Sequence, residues 1–142
     1  MTQRGLISLA TNCRQLEYIA AYVSDINNAA LATLASNCAQ LKDFRLVLLD
    51  ENNVASEYPL DEGVKALVKG CPELKRFGLY LRRGFLTDKG MEDIGLYGKK
   101  LRWILFGLVG ETDNGLKLFA NGCPSLQRLE IRDCVFSEAA IT

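Results

Sequence analysis

One phrase recurs five times along this chain, and no other feature restricts its fold as strongly. The fullest copy is Gly70-Cys71-Pro72-Glu73-Leu74-Lys75-Arg76-Phe77-Gly78-Leu79-Tyr80, which reads as a helix end, a tight turn and a short strand of the form Leu-x-x-Phe-x-Leu. The other copies open at Asn12-Cys13, Asn37-Cys38, Gly98-Lys99 and Gly122-Cys123. Their anchoring residues Leu16, Leu41, Leu74, Leu101 and Leu126 lie 25, 33, 27 and 25 residues apart.

Self-similarity at that period is the signature of a leucine-rich repeat, in the long variety where a helix follows each strand. The expected fold is therefore α/β: a solenoid, or horseshoe, with parallel strands on its concave face and helices on its convex face. The whole chain, 1–142, reads as one such segment of about five repeats. Helix starts are expected where a short oxygen-bearing side chain can cap free N–H groups: Ser24-Asp25, Asp61, Thr87-Asp88 and Thr112-Asp113. The longer second interval comes from the polar stretch Asp50 to Pro59, expected to be a surface loop. Residues 5–10 read as a helix without its strand, and 136–141 as the opening turn of another helix. Both ends thus fall inside a repeat. Because each repeat buries its apolar face on a neighbour, the expectation is a truncated array of marginal stability as an isolated monomer.

Composition narrows the function classes. The 142 residues carry 17 basic and 17 acidic side chains, so no whole-surface attraction to nucleic acid or membrane is expected. No apolar run is long enough to span a bilayer and the N-terminus lacks a secretory pattern, which suggests an intracellular chain. Cys13, Cys38, Cys71 and Cys123 share one position in the repeat, and a ladder of buried thiols is expected there; Cys134 has no assigned role. No two cysteines have metal-ligand spacing, so no metal is expected. There is no histidine, phosphate loop or nucleophile elbow. The chain reads as non-catalytic.

Alternation along a strand sends the leucine-type residues inward and the intervening ones to the opposite face. The outward set is Tyr18, Ala20 and Tyr22; Asp43, Arg45 and Val47; Arg76, Gly78 and Tyr80; Trp103, Leu105 and Gly107; Arg128, Glu130 and Arg132. Aromatic groups and arginine carry most of the energy of binding surfaces. Arg45 and Arg132 sit three strands apart, on the order of 15 Å, a span that suits a small acidic ligand with an apolar body. A second anion has Arg45, Arg76 and Arg128 to meet. A purely protein-binding face has the same composition.

Tyr22-Val23-Ser24-Asp25-Ile26, the run Asp43 to Asp50 (Asp-Phe-Arg-Leu-Val-Leu-Leu-Asp), Tyr80-Leu81-Arg82 and Val109-Gly110-Glu111 carry a more specific likeness. Over its full length the chain resembles the leucine-rich-repeat domain of the coronatine-insensitive F-box family, the plant jasmonate receptors. That resemblance implies the substrate-recognition part of an SCF ubiquitin ligase, itself not an enzyme. Such a protein binds jasmonoyl-isoleucine or coronatine together with a JAZ repressor degron, promoting hormone-dependent ubiquitination and degradation in plant defence. It also implies a nuclear location, with the cytoplasm as a second one, and an inositol polyphosphate as structural cofactor. By position, hormone contacts are implied for Tyr22, Arg45, Val47, Leu49, Tyr80, Leu105 and Arg132. Inositol phosphate contacts are implied for Arg45, Tyr80, Trp103 and Arg128. The hydroxyls of Tyr22 and Tyr80 are expected to hold the polar head with Arg45, and Val47, Leu49 and Leu105 to line the apolar part. Three departures stand against this. The chain holds no F-box through which to meet a Skp adaptor and cullin, further repeats are missing, and Leu108 replaces an expected aromatic. The polypeptide alone is therefore expected not to bind hormone measurably. The alternative is a generic repeat scaffold that binds protein without hormone; the auxin-receptor F-box family shares the architecture but places its tyrosines and arginines differently.

Overall fold

A computed structural model describes residues 2–49, 59–82 and 84–134, apart from the side chain of Gln3. Helices and strands alternate in this order: α1 (Gln3–Asn12), β1 (Tyr18–Val23), α2 (Asn28–Asn37), β2 (Asp43–Leu48), α3 (Asp61–Gly70), β3 (Arg76–Tyr80), α4 (Asp88–Tyr97), β4 (Trp103–Gly107), α5 (Asp113–Gly122) and β5 (Arg128–Arg132). The strands form one parallel sheet in sequence order, and each helix packs on the next. This is the α/β repeat array expected from the phrase. The expected loop at 50–59, apart from Pro59, and the helix opening at 136–141 lie outside the described residues. Among the described residues no helix is long and apolar enough to cross a membrane.

The recurring phrase has a backbone cause. In four of the five repeats the residue that ends the helix donates its N–H to the carbonyl four back, as Cys71 does to Leu67 at 3.0 Å. Its own carbonyl then accepts the N–H of the anchoring leucine: Leu16 from Cys13, Leu41 from Cys38, Leu74 from Cys71, Leu101 from Gly98 and Leu126 from Cys123. The next residue bonds sideways to its counterpart in the neighbouring repeat, for instance Lys75 N–H to Lys42 O at 2.8 Å. The turn and the strand pairing are thus one hydrogen-bonded unit. It satisfies the polar backbone where the helix stops.

The cysteines take part through their side chains. The Cys71 thiol donates to the Cys38 carbonyl at 3.3 Å, and Cys38 and Cys123 approach the Cys13 and Gly98 carbonyls at 3.7 and 3.8 Å. Burial pushes the Cys71 thiol up to about 12 and that of Cys123 up to about 11. The expected ladder fails at one rung: Cys13 is exposed, whereas Cys38, Cys71 and Cys123 are buried.

Inward side chains form a continuous core. Phe44 and Phe77, fully buried on neighbouring strands, stack with ring centroids 5.9 Å apart, and Phe106 meets Phe119 of α5 edge-on at 5.1 Å. In β1 exposure alternates strictly, with Tyr18, Ala20 and Tyr22 out and Ile19, Ala21 and Val23 in.

Helix starts differ from the expectation at three helices, α2, α3 and α4; at α4 Thr87 holds the cap position but its side chain accepts no N–H. Asn27, not Ser24 or Asp25, caps α2 by accepting the Ala30 N–H at 2.8 Å. Asp61 is the first residue of α3 rather than its cap, and it serves the next repeat: it accepts the Thr87 N–H at 3.0 Å and the Thr87 hydroxyl. Asp88 repeats the arrangement with the N–H and hydroxyl of Thr112, at 3.1 and 2.5 Å. Each carboxylate enters the facing helix beside a glycine. A methyl group on Gly90 would lie 2.5 Å from Asp61 Oδ1, and one on Gly115 would lie 2.3 Å from Asp88 Oδ1. Asp-x-Gly at the helix start therefore links repeats, and its signal is the recurrence of Asp61-x-Gly63, Asp88-x-Gly90 and Asp113-x-Gly115.

Candidate functional site

Parallel pairing lines up the outward residues in three rows that run across the sheet. The first is Tyr18, Asp43, Arg76, Trp103, Arg128; the second Ala20, Arg45, Gly78, Leu105, Glu130; the third Tyr22, Val47, Tyr80, Gly107, Arg132. The two glycines in this pattern, Gly78 and Gly107, are where the rows become a candidate site.

Gly78 leaves β3 low between β2 and β4, so side chains from both sides close over it. The Arg45 guanidinium lies over the Trp103 ring, 4.9 Å from its centroid, and its Nε sits 3.4 Å from Asp43 Oδ1. A methyl group at residue 78 would meet Arg45 Cγ at 3.5 Å and Trp103 Cζ3 at 3.7 Å, which is ordinary contact. A larger side chain would part the pair.

This pair separates two cavities. One, of about 510 Å³, is lined by Tyr22, Arg45, Val47, Tyr80, Leu105 and Arg132, with Tyr18 and Ala20 at its β1 side. Such a volume suits a small organic ligand. Six of the seven implied hormone positions meet there. The seventh, Leu49, stands past the end of β2, exposed, with its carbonyl accepting from Arg82 Nη2 at 2.5 Å. The other cavity, of about 600 Å³, is lined by Arg45, Lys75, Arg76, Arg102 and Arg128, together with Trp103, Gln127 and Glu130. Five cations against one acid make it a site for a multiply charged anion. Of the residues implied for inositol phosphate, Arg45, Trp103 and Arg128 line this cavity, whereas Tyr80 lines the first.

Lys75 and Arg102 escape the alternation argument because each lies one residue before its strand. The usable signal is the residue after each anchoring leucine, which stacks Lys42, Lys75 and Arg102 in one column through the sideways backbone bonds.

Several charges are already matched inside the protein. Glu130 bridges Arg128 at 3.0 Å and Arg132 at 3.8 Å. An incoming anion has to compete with Asp43 for Arg45 and with Glu130 for the two arginines of β5. Tyr80 crosses over Gly107, and its hydroxyl donates to Asp133 Oδ2 at 2.6 Å. That bond to Asp133 is the main reason its phenol is pushed above the ordinary value, with Arg132 acting in the opposite direction. Leu108, next along, holds a left-handed backbone (φ 53°), a conformation uncommon outside glycine. Among the described residues no group of three or more acids, cysteines or histidines could hold a metal ion.

No family model matches the chain. Among curated proteins it is similar to coronatine-insensitive protein homolog 1b of Oryza sativa subsp. japonica, 53% identical over 141 residues, covering 99% of this chain and 24% of that protein. It is likewise 53% identical over 145 residues to coronatine-insensitive protein 1 of Arabidopsis thaliana, covering 98% of this chain and 24% of that protein. GRR1-like protein 1 of Arabidopsis thaliana is 37% identical over 145 residues, with 99% and 24% covered. The chain therefore spans about a quarter of the length of the curated relatives it matches.

Proposed function

From a chain that is a segment of a coronatine-insensitive-like protein, we infer a share in a jasmonate co-receptor: part of the surface that binds jasmonoyl-isoleucine or coronatine and presents it to a JAZ degron. The observation that carries this reading is the pairing of a ligand-sized cavity with a cationic one across Arg45 and Trp103. Val47 and Leu105 supply apolar contact in the first cavity, and Arg45 supplies the fork that a carboxylate or amide oxygen needs. Tyr22, largely exposed at 62%, stands ready to close over a ligand or to be covered by a second protein.

The cationic cavity fits the donor set that an inositol polyphosphate requires. Arg45, Arg76, Lys75, Arg102 and Arg128 would hold its phosphates, and its charge would hold the guanidinium of Arg45 toward the sheet. Assembly with a Skp adaptor and cullin through an F-box, degradation of the repressor and a nuclear location belong to the same proposal. Their support is the likeness to the coronatine-insensitive proteins.

Calorimetry on the intact protein, titrated with jasmonoyl-isoleucine in the presence of a JAZ degron peptide, tests the reading. Arg45→Ala should abolish hormone-dependent degron binding. Degron binding that is unchanged by hormone and by Arg45→Ala would instead support a protein-binding scaffold.

A further inference from the structure

We propose that the edge of the array where the helix-end turns lie is a docking surface for an acidic helix of a partner protein, received in a cationic groove that crosses the repeats from Lys42 to Arg102. The groove, of about 490 Å³, is lined by Lys42, Glu73, Lys75, Lys100, Arg102 and Ser125. The inference is independent of the hormone reading.

Two columns of side chains build the groove. Lys42, Lys75 and Arg102 each follow an anchoring leucine, and Glu73, Lys100 and Ser125 each precede one. The backbone holds the first column in register: the Lys75 N–H donates to the Lys42 carbonyl and the Arg102 N–H to the Lys75 carbonyl, both at 2.8 Å. The column is also bounded, since the same position is Glu17 in the first repeat and Gln127 in the last. Four cations therefore line the groove with one acid. Lys100 pairs with Glu73 at 2.6 Å, and Lys42 pairs with Glu17 at 3.0 Å. Lys75 and Arg102, between them, are exposed and have no acidic partner among the described residues. The hydrogen bond from Lys100 holds the Glu73 carboxyl below its ordinary range, helped by the charges of Lys100, Lys75 and Lys42.

Spacing selects the shape of the partner. Neighbouring strands lie about 4.8 Å apart, so the three cations of the first column span roughly 10 Å. Acids at positions i, i+3 or i+4, and i+7 share one face of a helix and span about 10.5 Å along its axis. Three carboxylates on one side of an extended segment span about 13 Å and overrun the column. A nucleic acid strand binds through bases stacked on aromatic side chains as well as through its phosphates, and none of the residues lining this groove is aromatic. Lys75 and Arg102 also line the cationic cavity on the sheet, whereas Lys42 and Lys100 line the edge groove alone. Lys42 and Lys100 are therefore the residues to change.

The test uses the intact protein and a labelled, alanine-rich helical peptide with three glutamates on one face, followed by fluorescence anisotropy in about 0.15 M salt. A second peptide of the same composition has its glutamates spread around the helix. The unaltered protein should bind the one-faced peptide severalfold more tightly than the scattered one. Lys42→Glu combined with Lys100→Glu should weaken that binding by about tenfold or more, because like charges then face each other. Lys42→Gln with Lys100→Gln should weaken it less and in the same direction, and it keeps the test open should the charge reversal fail to fold. Both side chains are more than half exposed, so the melt of the glutamine variant should not move. No binding of the one-faced peptide, equal binding of the scattered one, or binding that neither variant alters each overturns the proposal. Tripolyphosphate or an oligouridylate that binds more tightly than the peptide, and loses its affinity in the same variants, also overturns it by assigning the groove to a small polyanion or to RNA.

Discussion

Every strand of this sheet carries two sets of side chains that follow different rules. The inward set repeats: Ile19, Phe44, Phe77, Ile104 and Leu129 occupy one register position, and all are apolar. The outward set one residue earlier does not repeat: Tyr18, Asp43, Arg76, Trp103 and Arg128 share a position and almost no chemistry. Packing against a neighbouring copy of the same unit demands the same shape in every repeat. Recognition of an asymmetric ligand demands a different group at each step. Periodicity therefore marks the scaffold, and its absence on the same strand marks the candidate site.

The contrast can be broken most forcefully from the inside. Phe77→Ala removes a fully buried ring stacked on Phe44 and should cost about 3–5 kcal/mol in urea unfolding; a cost no larger than that of an outward substitution would dissolve the distinction. Gly115→Ala comes next. Glycine to alanine within a helix normally gains about 0.5–1 kcal/mol, but here the methyl group meets Asp88 Oδ1 at 2.3 Å and its Cα at 3.0 Å. The expected sign is reversed, a loss of about 1–3 kcal/mol, and a gain in the same assay would mean that the inter-repeat carboxylate is dispensable.

The buried thiols make the inward set sensitive to alkali. In the fold Cys71 keeps its proton up to about 12 and Cys123 up to about 11, against an ordinary value of 9.0. The unfolded chain loses those protons first, so stability is full below about pH 9 and declines as pH climbs through the folded values. Unfolding free energies measured across that window should fall, and less steeply in Cys71→Ala.

Outside, the effects on stability should be smallest. Arg45→Ala breaks a partly exposed ion pair with Asp43 and a cation–π contact with Trp103, together worth about 1 kcal/mol or less. Its effect on ligand binding should be far larger, and that split is the sharpest form of the comparison. Replacing Gly78 extends it: alanine fits, and leucine should part Arg45 from Trp103 and join the two cavities with little change in the melt.

Much of this was legible from residue order alone. The strand positions, the outward register and the shared place of the cysteines all follow from a phrase recurring near every 27 residues, because a local turn and a two-residue alternation require only near neighbours. The helix starts are less legible, since Asp61 and Asp88 look in sequence like caps of their own helices and in the fold serve the next repeat. Lys75 and Arg102 fall outside the strand alternation because each precedes its strand by one residue. Leu49 continues that alternation in sequence and yet stands off the cavity, since β2 has ended one residue before it.

The residue order by itself therefore determined which side chains are buried and which are displayed, because burial follows a short-range period. Only the tertiary structure decided what the displayed ones do to each other. That Arg45 lies on Trp103, and that the Tyr80 hydroxyl donates its hydrogen bond to Asp133, depend on groups 58 and 53 residues apart in sequence. The sheet brings them together, and two glycines with no side chain of their own make the room.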